Sequence, residues 1–120
     1  MTERTASCSC GQLTVKCHGE PVRVSICHCL ACQRRTGSVF GEQARFKKED
    51  IKKISGRSTL YVRVGDAGSK ISFRFCPTCG ATVYYTINVD PGLVAIPVGV
   101  FADPKFQAPT RSVYRSEERR

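Results

Sequence analysis

The sequence predicts an all-β fold. Three observations carry the prediction: short runs alternate apolar and polar residues, Gly- and Pro-containing breaks separate them at intervals of roughly 8 to 12 residues, and no long run has helical period. Leu13, Val15 and Cys17 alternate with Thr14, Lys16 and His18, and Val22, Val24 and Ile26 alternate with Arg23 and Ser25, so two half-buried strands come first. Residues 60–64 and 70–75 flank Gly65-Asp66-Ala67-Gly68, and Ile71, Phe73 and Phe75 alternate with Ser72 and Arg74, which predicts a β-hairpin with a glycine-containing loop. Residues 82–87 and 93–98 form another pair around 88–92. The one segment with helical character is 47–53, where Lys48, Glu49 and Asp50 precede Ile51. It is too short to hold as a helix alone and predicts a single helical turn. Many short strands of this kind favour a sheet or sandwich.

A chain of 120 residues with 41% hydrophobic content can bury a core without a partner, so one domain spanning residues 1–120 is expected. The longest apolar stretch, 93–102, is broken by Pro97 and Gly99 and falls short of the roughly 18 residues of a membrane helix. No membrane partner is expected. Met1 leads into Thr2, Glu3, Arg4 and Thr5, polar where an export signal carries an apolar core, so the expected location is the cytoplasm.

Eight cysteines in such a chain point to metal ligation, because cytosolic thiols are kept reduced. The formal charge of +9 assumes neutral thiols. Seven ligating thiolates set against two Zn²⁺ ions would lower it by three, to about +6, since ligating thiols are deprotonated. The chain stays basic, which admits anionic partners without choosing among them.

Cys8-Ser9-Cys10-Gly11 and Cys76-Pro77-Thr78-Cys79-Gly80 each have the form of half a metal site. A two-residue gap lets both sulfurs of the second face one ion, and Gly80 tolerates the positive φ that turns backbone N–H groups toward sulfur. Together Cys8, Cys10, Cys76 and Cys79 make a closed Cys₄ site of the structural kind, pinning the N-terminal segment to the hairpin.

Cys27, Cys29 and Cys32 fall within six residues at the end of a predicted strand. Three thiolates on one ion leave a fourth position open for water or substrate, the arrangement of catalytic sites. The other reading is a second structural site, closed by Cys17 or the ring of His28. Cys17 shares the apolar face of its strand, where a cysteine behaves as a small hydrophobe, and His28 suits a supporting role. Gln33, Arg34, Arg35, Thr36, Gly37 and Ser38 follow. Arg34 and Arg35, with Ser38, suit the carboxylates of a small acidic thiol beside the metal, or else form a solvated loop that offsets the thiolate charge.

The order C-x-C-G, then C-x-C-x-x-C followed by Gln-Arg-Arg and Gly-Ser, then C-P-x-C-G resembles the glutathione-dependent formaldehyde-activating enzyme family, also called Gfa or centromere-protein-V-like. The resemblance runs through residues 40–46, the turn at 47–50, Ser55-Gly56, the aromatic strand into Cys76, and Gly99. It implies a zinc-stapled Mss4-like, or β-tent, fold. Cys8, Cys10, Cys76 and Cys79 would match the structural zinc ligands, and Cys27, Cys29 and Cys32 the catalytic zinc. The activity implied is carbon–sulfur lyase chemistry, joining glutathione and formaldehyde reversibly as S-(hydroxymethyl)glutathione. Family members often carry a tryptophan-containing C-terminal segment. This chain has no Trp and runs out at Glu117-Glu118-Arg119-Arg120, so a wall of the pocket is expected to be missing.

Two rivals remain. One is a non-catalytic zinc module using Lys47, Lys48, Lys52, Lys53 and Arg57 on nucleic acid or an acidic partner. With 8% aromatic residues and no basic-aromatic interleaving, nucleic acid is not the expected partner. The other is a structural zinc domain of the chaperone or exchange-factor kind, which rests on fold analogy alone. The sequence leaves the oligomeric state, a homodimer included, open.

Overall fold

The structure is a computed structural model that describes residues 2–65 and 67–113. Asp66 of the predicted hairpin loop and residues 114–120, on which the expectation of a missing pocket wall rests, lie outside the described residues. The elements run β1 (Glu3–Ser7), β2 (Thr14–His18), β3 (Arg23–Cys27), α1 (Leu30–Thr36), β4 (Gly41–Lys47), β5 (Ile51–Ser55), β6 (Thr59–Val64), β7 (Lys70–Phe75), β8 (Thr82–Ile87), β9 (Leu93–Pro97) and β10 (Arg111–Val113). Short 3-10 turns lie at Lys48–Asp50 and Val98–Phe101. The all-β prediction holds, as do the hairpin of β6 and β7 and the single turn after residue 47.

Two sheets form. A small one has the order β1-β2-β5 and a large one the order β10-β3-β4-β9-β8-β7-β6. Neighbours are antiparallel except β10 against β3. The apolar alternation predicted for residues 13–17 is real: Leu13, Val15 and Cys17 are fully buried. They pack with Val24, Ala44, Phe46, Val83, Val94 and Ile96, so the core lies between the small sheet and one face of the large one. Burying a side chain the size of Phe46, Leu13 or Ile96 contributes about 1.5 to 3 kcal/mol each.

The expectation that 47–53 is the one helical segment is corrected by α1, which occupies Leu30–Thr36. Seven residues are too few for an amphipathic period to show. Its N-cap is a thiol, Cys29 Sγ accepting from the Cys32 backbone N–H at 3.4 Å, where the sequence offers none of the usual Ser, Thr, Asp or Asn. Gly37, at φ 70°, closes the C-terminus. Residues 33–36 of the segment for which a solvated loop is one of two readings thus lie in a helix, with Arg34 and Arg35 at the end where the macrodipole favours cations.

The second face of the large sheet is what positions the site. Cross-strand register places Arg23 opposite Arg45, Arg45 opposite Ala95, Ala95 opposite Tyr85 and Tyr85 opposite Phe73. A parallel row joins Arg111, Ser25 and Gln43, and a third joins Val113, Cys27 and Gly41. Because side chains alternate with period two, Arg23, Ser25 and Cys27 share one face of β3 while Val24 enters the core on the other.

Candidate functional site

Two groups of cysteines come together. Cys8, Cys10, Cys76 and Cys79 form one and Cys27, Cys29 and Cys32 the other, with the sulfurs of each group within 4.8 Å of one another. In the first, Cys10 Sγ lies 3.7 Å from both Cys8 Sγ and Cys76 Sγ. A tetrahedron with metal–sulfur bonds of about 2.3 Å has an edge of about 3.8 Å, so this donor set fits a thiophilic ion. Cys8 and Cys10 follow β1 and Cys76 and Cys79 span the β7–β8 turn, so an ion here would join the two sheets.

N–H groups surround these sulfurs. Leu13 N–H donates to Cys8 Sγ at 3.3 Å, and Thr78 and Cys79 N–H donate to Cys76 Sγ at 3.3 and 3.5 Å. The Gln12 amide Nε2 donates to Cys76 Sγ at 3.0 Å and to the Arg57 carbonyl at 2.8 Å, while Arg57 N–H returns a bond to Gln12 Oε1 at 2.9 Å. Burial pushes the Cys76 thiol up, but these donors outweigh it and draw it down to about 5. Gln12 is a supporting residue that sequence reading missed; its one signal was its place two residues after Cys10.

The second group is built on the junction of β3 and α1. Cys27 ends the strand, Cys29 caps the helix and Cys32 faces inward from its first turn. Hydrogen bonding between the Cys27 and Cys32 thiols, reinforced for Cys32 by Cys29 and Arg35, draws Cys32 down to about 5 against its burial. The same hydrogen bond, together with burial, pushes Cys27 up. Among the described residues no fourth Cys, His, Asp or Glu joins this group. Cys17 lies in the core, where burial pushes its thiol up to about 11 with Arg4 opposing. The His28 ring turns to Ser112, with Nε2 3.0 Å from Ser112 Oγ, and packs against Phe40.

This group opens onto a cavity of about 350 Å³ on the second face of the large sheet. Five arginines line it: Arg23, Arg35, Arg45, Arg63 and Arg111. Arg35 lies over the rings of Phe73 and Tyr85, 5.4 and 5.3 Å from their centroids, and its Nε is buried without a partner among the described residues. Gly41 makes room for it, since a Cβ there would sit 3.0 Å from Arg35 Nη2. Buried Tyr85 is pushed up to about 12 by desolvation, so its phenol stays neutral below that range. Of the residues read as a carboxylate clamp, Arg35 reaches the cavity. Arg34, one residue before it on the helix, is exposed and lines only an adjoining depression with Tyr61 and Phe75, which shares Arg35, Arg63 and Phe73 with the cavity. Ser38 is exposed in the turn after α1, its N–H bonded to Thr36 Oγ1 at 3.2 Å. Sequence reading missed Arg23, Arg45, Arg63 and Arg111, because single arginines on strands read as solvated positions.

Residues 3–117 match the family described as glutathione-dependent formaldehyde-activating enzyme. The chain belongs to this family. Among curated proteins none matches it. A crystal structure of a Rhodobacter sphaeroides protein is similar, with a TM-score of 0.65 at 20% identity, covering 90% of this chain and 98% of that one. At that identity the likeness shows the fold, and the mostly antiparallel sheets are compatible with the Mss4-like expectation. Membership of the glutathione-dependent formaldehyde-activating family implies an enzyme acting on formaldehyde with glutathione, and the two cysteine groups are the places where such an enzyme could bind metal.

Proposed function

We propose that the chain, acting as one domain, is a zinc-dependent carbon–sulfur lyase that forms or cleaves the S-hydroxymethyl adduct of a small thiol such as glutathione with an aldehyde such as formaldehyde. Cys8, Cys10, Cys76 and Cys79 hold the structural zinc, and Cys27, Cys29 and Cys32 hold the catalytic one. The observation that carries this reading is the three-thiol group opening directly onto an arginine-lined cavity of about 350 Å³, the size of a small-molecule site.

A cation at the three thiols supplies a lowered pKa for a thiol brought beside it. The protein's own residues do the rest. Arg35 pairs with a carboxylate of the thiol next to Cys32, and Gly41 lets its guanidinium approach. Phe73 and the neutral Tyr85 wall the cavity and limit water. Holding sulfur and the aldehyde carbon together converts a bimolecular encounter into an intramolecular one. A carbon–sulfur bond forms, the thiol proton leaves, and the carbonyl oxygen takes up one proton to become the hydroxyl; cleavage is the reverse.

Cobalt loading tests this. The cobalt–thiolate absorption should change on adding glutathione and much less with an S-methylated analogue, which has no thiol proton to lose. Arg35→Ala should weaken glutathione about ten- to a hundredfold, the loss of one charge-assisted pair. Arg34→Ala, being exposed, should change it far less. An unchanged spectrum at saturating glutathione would overturn the open-site reading.

The non-catalytic rival leads to a separate expectation. Lys47, Lys48, Lys52, Lys53 and Arg57 are exposed around β5, while Arg23, Arg35, Arg45, Arg63 and Arg111 line a cavity too small for a duplex. Binding to DNA at physiological salt should therefore be no tighter than about micromolar, the ordinary non-specific range. A clearly tighter constant in a fluorescence-anisotropy titration would favour the rival.

A further inference from the structure

We propose that Arg23, Arg45 and Arg111 form an anion subsite at the end of the cavity remote from the thiols, selecting an elongated thiol that carries a second acidic group. The inference rests on the reading of Cys27, Cys29 and Cys32 as a thiol-binding centre and adds to it what the thiol must look like.

The three side chains converge from three adjacent strands. Arg23 and Arg45 are direct partners across β3 and β4, and Arg111 stands opposite Ser25, the next residue of β3 on the same face. All three line the cavity. Like charges directly opposite destabilise a sheet, so this placement works against folding unless an anion lies between them. The described residues provide none: their ion pairs are Arg4 with Glu20 and His18 with Asp50. Burial, then Arg45 and Arg111, push the Arg23 guanidinium below its ordinary value, with Asp90 alone pulling the other way.

Unpartnered polar atoms point the same way. Arg45 Nε is buried without a hydrogen-bond partner among the described residues. So is Oε1 of Gln43, a residue only 2% exposed whose Nε2 donates to Ser25 Oγ at 2.9 Å. The strip between the thiols and the arginines is therefore polar and awaits hydrogen-bonding groups, as a small peptide-like ligand supplies.

Strand geometry sets the length. Cys27 lies four residues beyond Arg23 on the same face, about 13 Å along an extended strand. Arginine side chains reach back over part of that distance. An occupant touching both ends is long and narrow, with sulfur at one end and a carboxylate or similar oxyanion at the other, matching the planar donor fork of arginine. Glutathione, with two carboxylates, meets the requirement; cysteine, short and with one, does not.

The test uses the cobalt-loaded protein with Arg23→Gln, Arg45→Gln and Arg111→Gln, each titrated with glutathione and with cysteine. Glutarate, a dicarboxylate without sulfur, is titrated separately by calorimetry. Each variant should weaken glutathione by about tenfold or more and cysteine by less than twofold, so selectivity collapses. Glutarate binding should weaken in parallel. Thermal midpoints should not fall, because each change relieves like-charge repulsion. If glutathione shifts the spectrum but its affinity stays within twofold in all three variants, the subsite is overturned while the lyase reading stands. If no thiol moves the spectrum, the lyase reading fails and glutarate alone decides the subsite: loss of its binding in the variants supports it, and unchanged or absent binding overturns it.

Discussion

Cys79→Ser is expected to abolish folding, whereas Cys29→Ser should leave a folded chain with about one metal fewer. The two groups of thiols differ in what they connect. Cys8 and Cys10 follow a strand of the small sheet, while Cys76 and Cys79 sit in a turn of the large one, so a metal there ties together elements more than sixty residues apart. Structural zinc binding is worth about 10 to 16 kcal/mol in small domains, comparable to or larger than the roughly 5 to 15 kcal/mol by which a domain is stable at all. Cys27, Cys29 and Cys32 lie within six residues of one another, at a strand–helix junction held by its own hydrogen bonds, and a metal there cross-links nothing distant. Serine at position 29 also keeps an oxygen to cap α1 in place of the sulfur that accepts from Cys32 N–H. Circular dichroism melts with metal analysis of both purified variants check this; equal loss of structure in the two would show that the second group is structural as well.

What could be read in the chain follows from where information is local. The alternation at Leu13, Val15 and Cys17 and at Ile71, Phe73 and Phe75 marks strands because one face is buried and the period is two. The paired cysteine spacings mark metal groups because two sulfurs must reach one point. The helix at Leu30–Thr36 was illegible because its cap is a cysteine, already accounted for as a ligand, and its seven residues show no stripe. β1 carries one buried residue, Ala6, too small a signal to read as a strand. The alternation of Arg23 and Ser25 with Val24 was legible, but its meaning was not. A polar face reads as solvent-facing, and only the curl of seven strands, set by register between residues far apart in sequence, turns it into a cavity wall with Ser25 3% exposed. Arg35 could be named from its neighbours Cys32 and Arg34, whereas Arg45 and Arg111 had nothing local to recommend them.

Gly56→Ala is expected to cost about 3 to 5 kcal/mol, far more than an alanine at an ordinary left-handed glycine. Gly56 has φ 100°, and a Cβ there would lie 1.9 Å from the Gln12 carbonyl oxygen and 2.8 Å from its carbon. Those are backbone atoms, so no rotamer change relieves the overlap; residues 11–13 must move as a unit. That unit carries the Gln12 amide on Cys76 Sγ and the Leu13 N–H on Cys8 Sγ. It also carries the reciprocal bond from Cys8 N–H to the Leu13 carbonyl at 3.0 Å, with the fully buried Leu13 side chain anchoring it in the core. The strain therefore reaches both halves of the Cys₄ group, and metal should be lost to a chelator faster as the thermal midpoint falls by roughly 12 to 20 °C. Gly37→Ala is the matched comparison. Its φ is 70°, nothing lies within 4 Å of the added Cβ, and it should cost about 1 kcal/mol, the conformational penalty alone. Adding Gln12→Ala to Gly56→Ala should not restore stability, because the clash is with the backbone and the substitution removes three hydrogen bonds besides. Melting curves of the three variants with a chelator challenge decide it: if Gly56→Ala and Gly37→Ala melt together, the close approach of Gly56 to Gln12 does not constrain the fold.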